Sequence, residues 1–120
     1  MTLAEHIQAV QARIAAAAEK AGRDPSEVTL VAATKVQTSE TIRAAIAAGI
    51  TVCGENRAQE FTQHWQDGAY KGAKVHFIGH LQKNKLKYLV GKVDMIESVD
   101  SEELIRLIDK RAQNLGIVQD

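Results

Sequence analysis

Apolar positions recur at Leu3, Ile7, Val10, Ile14 and Ala17 or Ala18, with Gln, Arg, Glu and Lys between them. That spacing is the 3.6-residue period of an amphipathic helix over residues 2 to about 21. Thr2 and Glu5 stand three apart, as in a capping box, and Gly22 suits the left-handed position just past the helix end. Asp24-Pro25-Ser26 then turns the chain. The pattern changes at Val28-Thr29-Leu30-Val31-Ala32-Ala33-Thr34-Lys35, a short run rich in β-branched residues that stops at one lysine. Such a run predicts a buried strand of the kind found in parallel sheets.

The same alternation continues. A helix of about ten residues follows, with Thr38 or Ser39 as its cap and Gly49 as its stop. Ile50 to Gly54 predicts a second strand, and Ala58, Phe61 and Trp65 fall at helical spacing behind it. Asp67 to Gly72 is a loop by its glycines and polarity. Lys74–Gly79 predicts a third strand, Leu81–Val90 a lysine-bearing helix and Val93–Val99 a fourth strand. Asp100 and Glu103 cap a last helix that carries Leu104, Leu107, Ile108 and Leu115 and stops at Gly116. Ile117 to Asp120 reads as the beginning of a fifth strand. Strand and helix alternating four times at about 25-residue spacing define an α/β class with a parallel sheet. An open doubly wound sheet and a (β/α) barrel both fit, and this chain would supply half of a barrel, since a complete one takes about 250 residues.

Composition narrows the reading. A chain of 120 residues, 45% apolar and 25% charged, is expected to form a single domain over residues 1–120. Fifteen basic residues balance fifteen acidic ones, so net charge points to neither nucleic acid nor a membrane surface. Cys53 is alone, which excludes an internal disulfide and makes a cytoplasmic setting the default expectation. No run approaches the roughly 20 apolar residues of a spanning helix. Metal-ligand spacing, a glycine-rich phosphate loop and a Gly-x-Ser-x-Gly elbow are all missing, so metal chemistry and serine hydrolysis are not indicated.

In both architectures ligands gather at the carboxyl ends of the strands. Those ends are Thr34-Lys35, Gly54-Glu55-Asn56, Gly79-His80 and Ser98-Val99-Asp100. Lys35 is either a snorkelling surface amine or a nucleophile, whose neutral form burial would favour and which could form a Schiff base with an aldehyde. Gly54-Glu55-Asn56 is either a turn with a cap or a place where Asn56 donates to a ligand oxygen. His76 sits inside an apolar strand, as core histidines do. Gly79-His80-Leu81-Gln82 could bind an anion on backbone amides ahead of the lysine-bearing helix.

The runs Leu30-Val31-Ala32-Ala33-Thr34-Lys35, Gly54-Glu55-Asn56-Arg57-Ala58-Gln59-Glu60 and His76-Phe77-Ile78-Gly79-His80-Leu81-Gln82-Lys83-Asn84-Lys85, in this order, resemble the pyridoxal phosphate homeostasis proteins. The resemblance covers essentially the whole chain and the N-terminal half of that family. It implies a (β/α)8 TIM-barrel type, as in the alanine racemase N-terminal domain, here reduced to about the first four β/α units plus an N-terminal helix. It further implies pyridoxal 5'-phosphate held as a Schiff base on Lys35, with Asn56 and His76 as neighbours. The implied role is intracellular vitamin B6 homeostasis without an established turnover. Two departures stand out. Val36-Gln37-Thr38 follows the lysine where the family often has a proline, and the half that would carry the Ser/Gly-rich phosphate loops is not in the chain. A half barrel would also leave apolar surface uncovered, which favours self-association or pairing with a complementary half. A racemase or decarboxylase would need a second acid/base group facing the cofactor, and Tyr70 and Tyr88 read as loop and helix residues instead.

Overall fold

The computed structural model describes residues 1–120. The first helix, α1 (Leu3–Lys20), starts where the Thr2 hydroxyl accepts the Glu5 amide. It buries Ile7 and Ala18, while Leu3 and Val10 stay largely exposed because only one flank of the stripe meets another element. The sheet follows as β1 (Ala32–Ala33), β2 (Val52–Glu55), β3 (Lys74–Phe77) and β4 (Met95–Ile96). Between the strands run α2 (Ser39–Ala47), α3 (Ala58–Gln66) and α4 (Leu86–Leu89), and α5 (Glu102–Leu115) closes the chain.

All pairings are parallel and the spatial order is β1-β2-β3-β4. A doubly wound sheet reverses its strand order at a switch point, and these four strands contain no reversal. The crossover helices therefore cover one face. Cys53, Val75, Phe77 and Ile96 point to it and pack with Ile42, Phe61, Leu89, Leu104 and Ile108 in one apolar cluster. On the opposite face, pairing aligns Ala33, Gly54, His76 and Met95 in one row. No helix covers that row, and Ala33 and Met95 are exposed.

Several elements differ from the sequence expectation. The ladders of β1 and β4 are two residues long, because each lies at an edge of the sheet and has one neighbour to pair with. Beyond β4 the Ile96 amide donates to the Asp120 carbonyl at 2.9 Å, so the chain's last residues do come alongside that edge. The predicted helix over Leu81–Val90 is a 3-10 turn at Lys83–Lys85 followed by the four residues of α4. Gln82 provides no side-chain cap for this segment, and without one the first turn leaves its amides unpaired. The cap of α5 is Ser101, whose Oγ accepts the Leu104 amide, and not Asp100 or Glu103. On α3 it is His64 that faces inward beside Phe61, while Trp65 turns out and is 46% exposed.

Candidate ligand site at the strand ends

Two sites of different character meet at the carboxyl ends of the strands. At the strand ends, Lys35 and Asn56 follow the paired residues Ala33 and Gly54 by two positions, Lys35 in a turn and Asn56 in a bend. Lys35 is exposed and takes part in none of the chain's ion pairs. The burial that would favour its neutral amine is not found, because β1 is an edge strand with no layer over its free face. Asn56 is half-buried, and its Oδ1 has neither solvent nor a hydrogen-bond partner. Ser98 Oγ, at the end of β4, is in the same condition. Buried polar atoms are ordinarily paired, so the amide oxygen stands as an acceptor without a donor and the hydroxyl as a group that could donate or accept. His76 is nearly buried, and its Nδ1 lies 2.7 Å from Glu97 Oε1. That contact satisfies one of its two ring nitrogens.

Gly79 brings β3 close to β2. The Ile78 amide donates to the Glu55 carbonyl at 2.8 Å, and a Cβ on Gly79 would stand 2.1 Å from the Asn56 carbonyl oxygen. Beside this contact opens a cleft of about 280 Å³ lined by Asn56, Arg57, Gln59, His80, Gln82 and Lys85. The anion site expected ahead of the lysine-bearing helix is not supported, since α4 spans a single turn and offers little aligned dipole.

The covered face holds a polar cluster that hydrophobic periodicity does not reveal. Glu55 is fully buried. Its Oε1 accepts from the Thr34 hydroxyl and from the Tyr70 hydroxyl at 2.7 Å, and lies 2.9 Å from His64 Nδ1. The other imidazole nitrogen, Nε2, is 2.9 Å from the Gln37 carbonyl. A carbonyl only accepts, so Nε2 carries a proton. On the other side of the ring, Nδ1 faces the Glu55 carboxyl, so the imidazole is held between β2 and the Gln37 carbonyl. Burial pushes the Tyr70 phenol well above its ordinary value, and its hydrogen bond to Glu55 adds to the effect, so it stays a donor. Alternation offered one signal for this cluster: Glu55 and Asn56 are adjacent in a strand, so they must face opposite sides.

Cys53, two residues before Glu55 on the same face, is buried, and desolvation followed by the Glu55 charge raises its thiol to about 11. A raised value means that its contribution to stability is complete below the ordinary 9.0 and is lost as pH climbs through about 11. Urea midpoints measured across that interval are expected to fall with rising pH, and Cys53→Ala is expected to flatten the fall. A slope identical in the variant would mean that the thiol does not titrate in this window.

The fold thus defines a parallel α/β protein with unpaired polar groups gathered at its strand ends. Compared with known sequences, no family model matches the chain. It is 42% identical over 120 residues to the pyridoxal phosphate homeostasis protein of Aquifex aeolicus, covering all of this chain and 53% of that protein. It is 36% identical over 117 residues to the protein of the same name from Escherichia coli, covering 94% of this chain and 50% of that one. Among solved structures, an unknown protein from Bifidobacterium adolescentis superposes with a TM-score of 0.90 at 39% identity, over 98% of this chain and 52% of that one. PipY of Synechococcus elongatus with PLP bound gives 0.79 at 33% identity, over 96% and 50%. The chain is a relative of the pyridoxal phosphate homeostasis proteins and spans about half the length of the curated relatives it matches.

Proposed function

We propose that this chain binds pyridoxal 5'-phosphate through a Schiff base on Lys35 and serves intracellular vitamin B6 homeostasis as a carrier, in a cytoplasmic setting. The observation that carries this reading is the placement of Lys35. An exposed amine sits in the turn just past the first strand, with the unpaired Asn56 acceptor just past the neighbouring strand. These residues fit the cofactor: an amine can take its aldehyde, and Asn56 Oδ1 lacks the donor that a ring N–H or hydroxyl would supply. When bound, the cofactor would supply an electrophilic carbonyl. Lys35 would hold it, Asn56 would orient it, and His76, tied to Glu97, would form part of the floor. The bare face and the unreversed strand order suit the first half of a (β/α)8 barrel rolled about this face. PLP bound to PipY, a structural neighbour, supports the same reading.

The test is absorbance. Mixing the chain with pyridoxal phosphate is expected to give an imine band that borohydride reduction fixes onto Lys35, and Lys35→Ala is expected to abolish it. A band of equal strength in the variant would defeat the assignment.

A second reading is favoured by the surface: a half barrel that holds the cofactor poorly until it assembles with another copy or a complementary half. Ile105 is 56% exposed, Leu115 49% and Val118 91%, close to a largely apolar groove of about 490 Å³ beside α5. Light scattering distinguishes the two readings, since a monomer that still gives the imine band would set assembly aside.

A further inference from the structure

We infer that His64 is a positioning residue for Lys35, acting through the turn that carries the lysine. The inference rests on the reading that Lys35 receives the aldehyde.

Residues 34, 36 and 37 are each held by a buried or half-buried side chain from β2 or α3. The Thr34 hydroxyl donates to Glu55, the Val36 amide donates to Glu60 Oε2 at 2.8 Å, and the Gln37 carbonyl accepts from His64 Nε2 at 2.9 Å. Within that stretch only Lys35 is left untethered, and it is exposed. The backbone of this turn is not one the chain would choose unaided. Val36 has φ +55°, the left-handed region that β-branched residues avoid, while its side chain is 84% exposed and gains nothing from packing. Strain of this kind persists only where surrounding contacts over-determine it. Here the Glu60 and His64 contacts flank the strained residue directly. His64 is itself fixed by its 2.9 Å contact with the buried Glu55, so a polar contact in the core sets where the lysine's turn sits.

A general structural role and a positioning role separate by comparing two amide substitutions. The amide nitrogen of glutamine reaches as far as imidazole Nε2, and that of asparagine only as far as Nδ1. His64→Gln therefore keeps the donor to Gln37 and gives up the bond to Glu55, whereas His64→Asn does the reverse. Cofactor affinity, read from the imine band, is expected to fall about tenfold in His64→Asn and to stay within about threefold of the parent in His64→Gln. Amide exchange at Val36, measured without cofactor, is expected to quicken in His64→Asn and to remain near the parent rate in His64→Gln. Equal losses in both variants, tracking their melting temperatures, would overturn the inference, as would unchanged Val36 exchange in His64→Asn. If the parent chain gives no imine band, the proposed cofactor reading falls, and the exchange comparison still decides whether His64 holds the turn.

Discussion

Gly79→Ala is expected to destabilise this chain by about 3 kcal/mol, a large share of the roughly 5–15 kcal/mol that holds a domain together. The added methyl would stand 2.1 Å from the Asn56 carbonyl oxygen and 2.7 Å from its carbonyl carbon and Cα. All three are backbone atoms, so no rotamer change relieves the clash, and β3 must move away from β2. That movement strains the Ile78 amide bond to Glu55 and shifts Asn56, the neighbour of the lysine site. Gly54→Ala is a useful contrast. Its Cβ would meet Ile78 Cδ1 and Val31 Cγ1 at 2.8 Å, both side-chain atoms. The isoleucine end turns aside readily and the valine only by changing χ1, whereas the backbone atoms at Gly79 have no such freedom. Chemical denaturation of both variants checks the order, and an equal or larger loss in Gly54→Ala would show that the contact at Gly79 is not the tight one.

Glu55→Ala is expected to cost about 3 kcal/mol, since each buried polar group left without its partner costs about 1–3 kcal/mol. The carboxyl gathers Thr34, His64 and Tyr70 onto one oxygen, and its loss takes the shared partner from two buried hydroxyls and an imidazole, with the Gly54 carbonyl at 3.2 Å left to Thr34. Glu55→Gln is expected to cost less, because its Oε1 still accepts. It should not be silent, since Glu55 Oε2 has no partner and the new NH₂ would sit there unpaired. Urea midpoints give the ranking. An alanine variant as stable as the glutamine one would mean that the donors find other acceptors once the carboxylate is gone.

Much of the local structure was legible in the chain. The caps at Thr2 and Thr38 and the stop at Gly116 follow from side-chain chemistry within a turn, and all three stand where the sequence places them. The strand–helix alternation follows from the change of hydrophobic period, and it yields the parallel α/β sheet. Trp65 misled because an apolar residue at helical spacing normally faces inward. Here Glu55 draws His64 in instead, and Lys92 lies over the indole ring at 5.0 Å on the outside.

The sequence by itself determined the elements, their order and the candidate lysine, because those depend on contacts between residues a few positions apart or on the match of short motifs. Only the tertiary structure decided that Lys35 is exposed, that Gly79 rests against Asn56, and that Thr34, Glu55, His64 and Tyr70 share one buried site. Those facts depend on strand register and on which elements become neighbours. A polar side chain looks the same in a sequence whether its partner is water or a group from a distant strand, and only the folded chain supplies that partner.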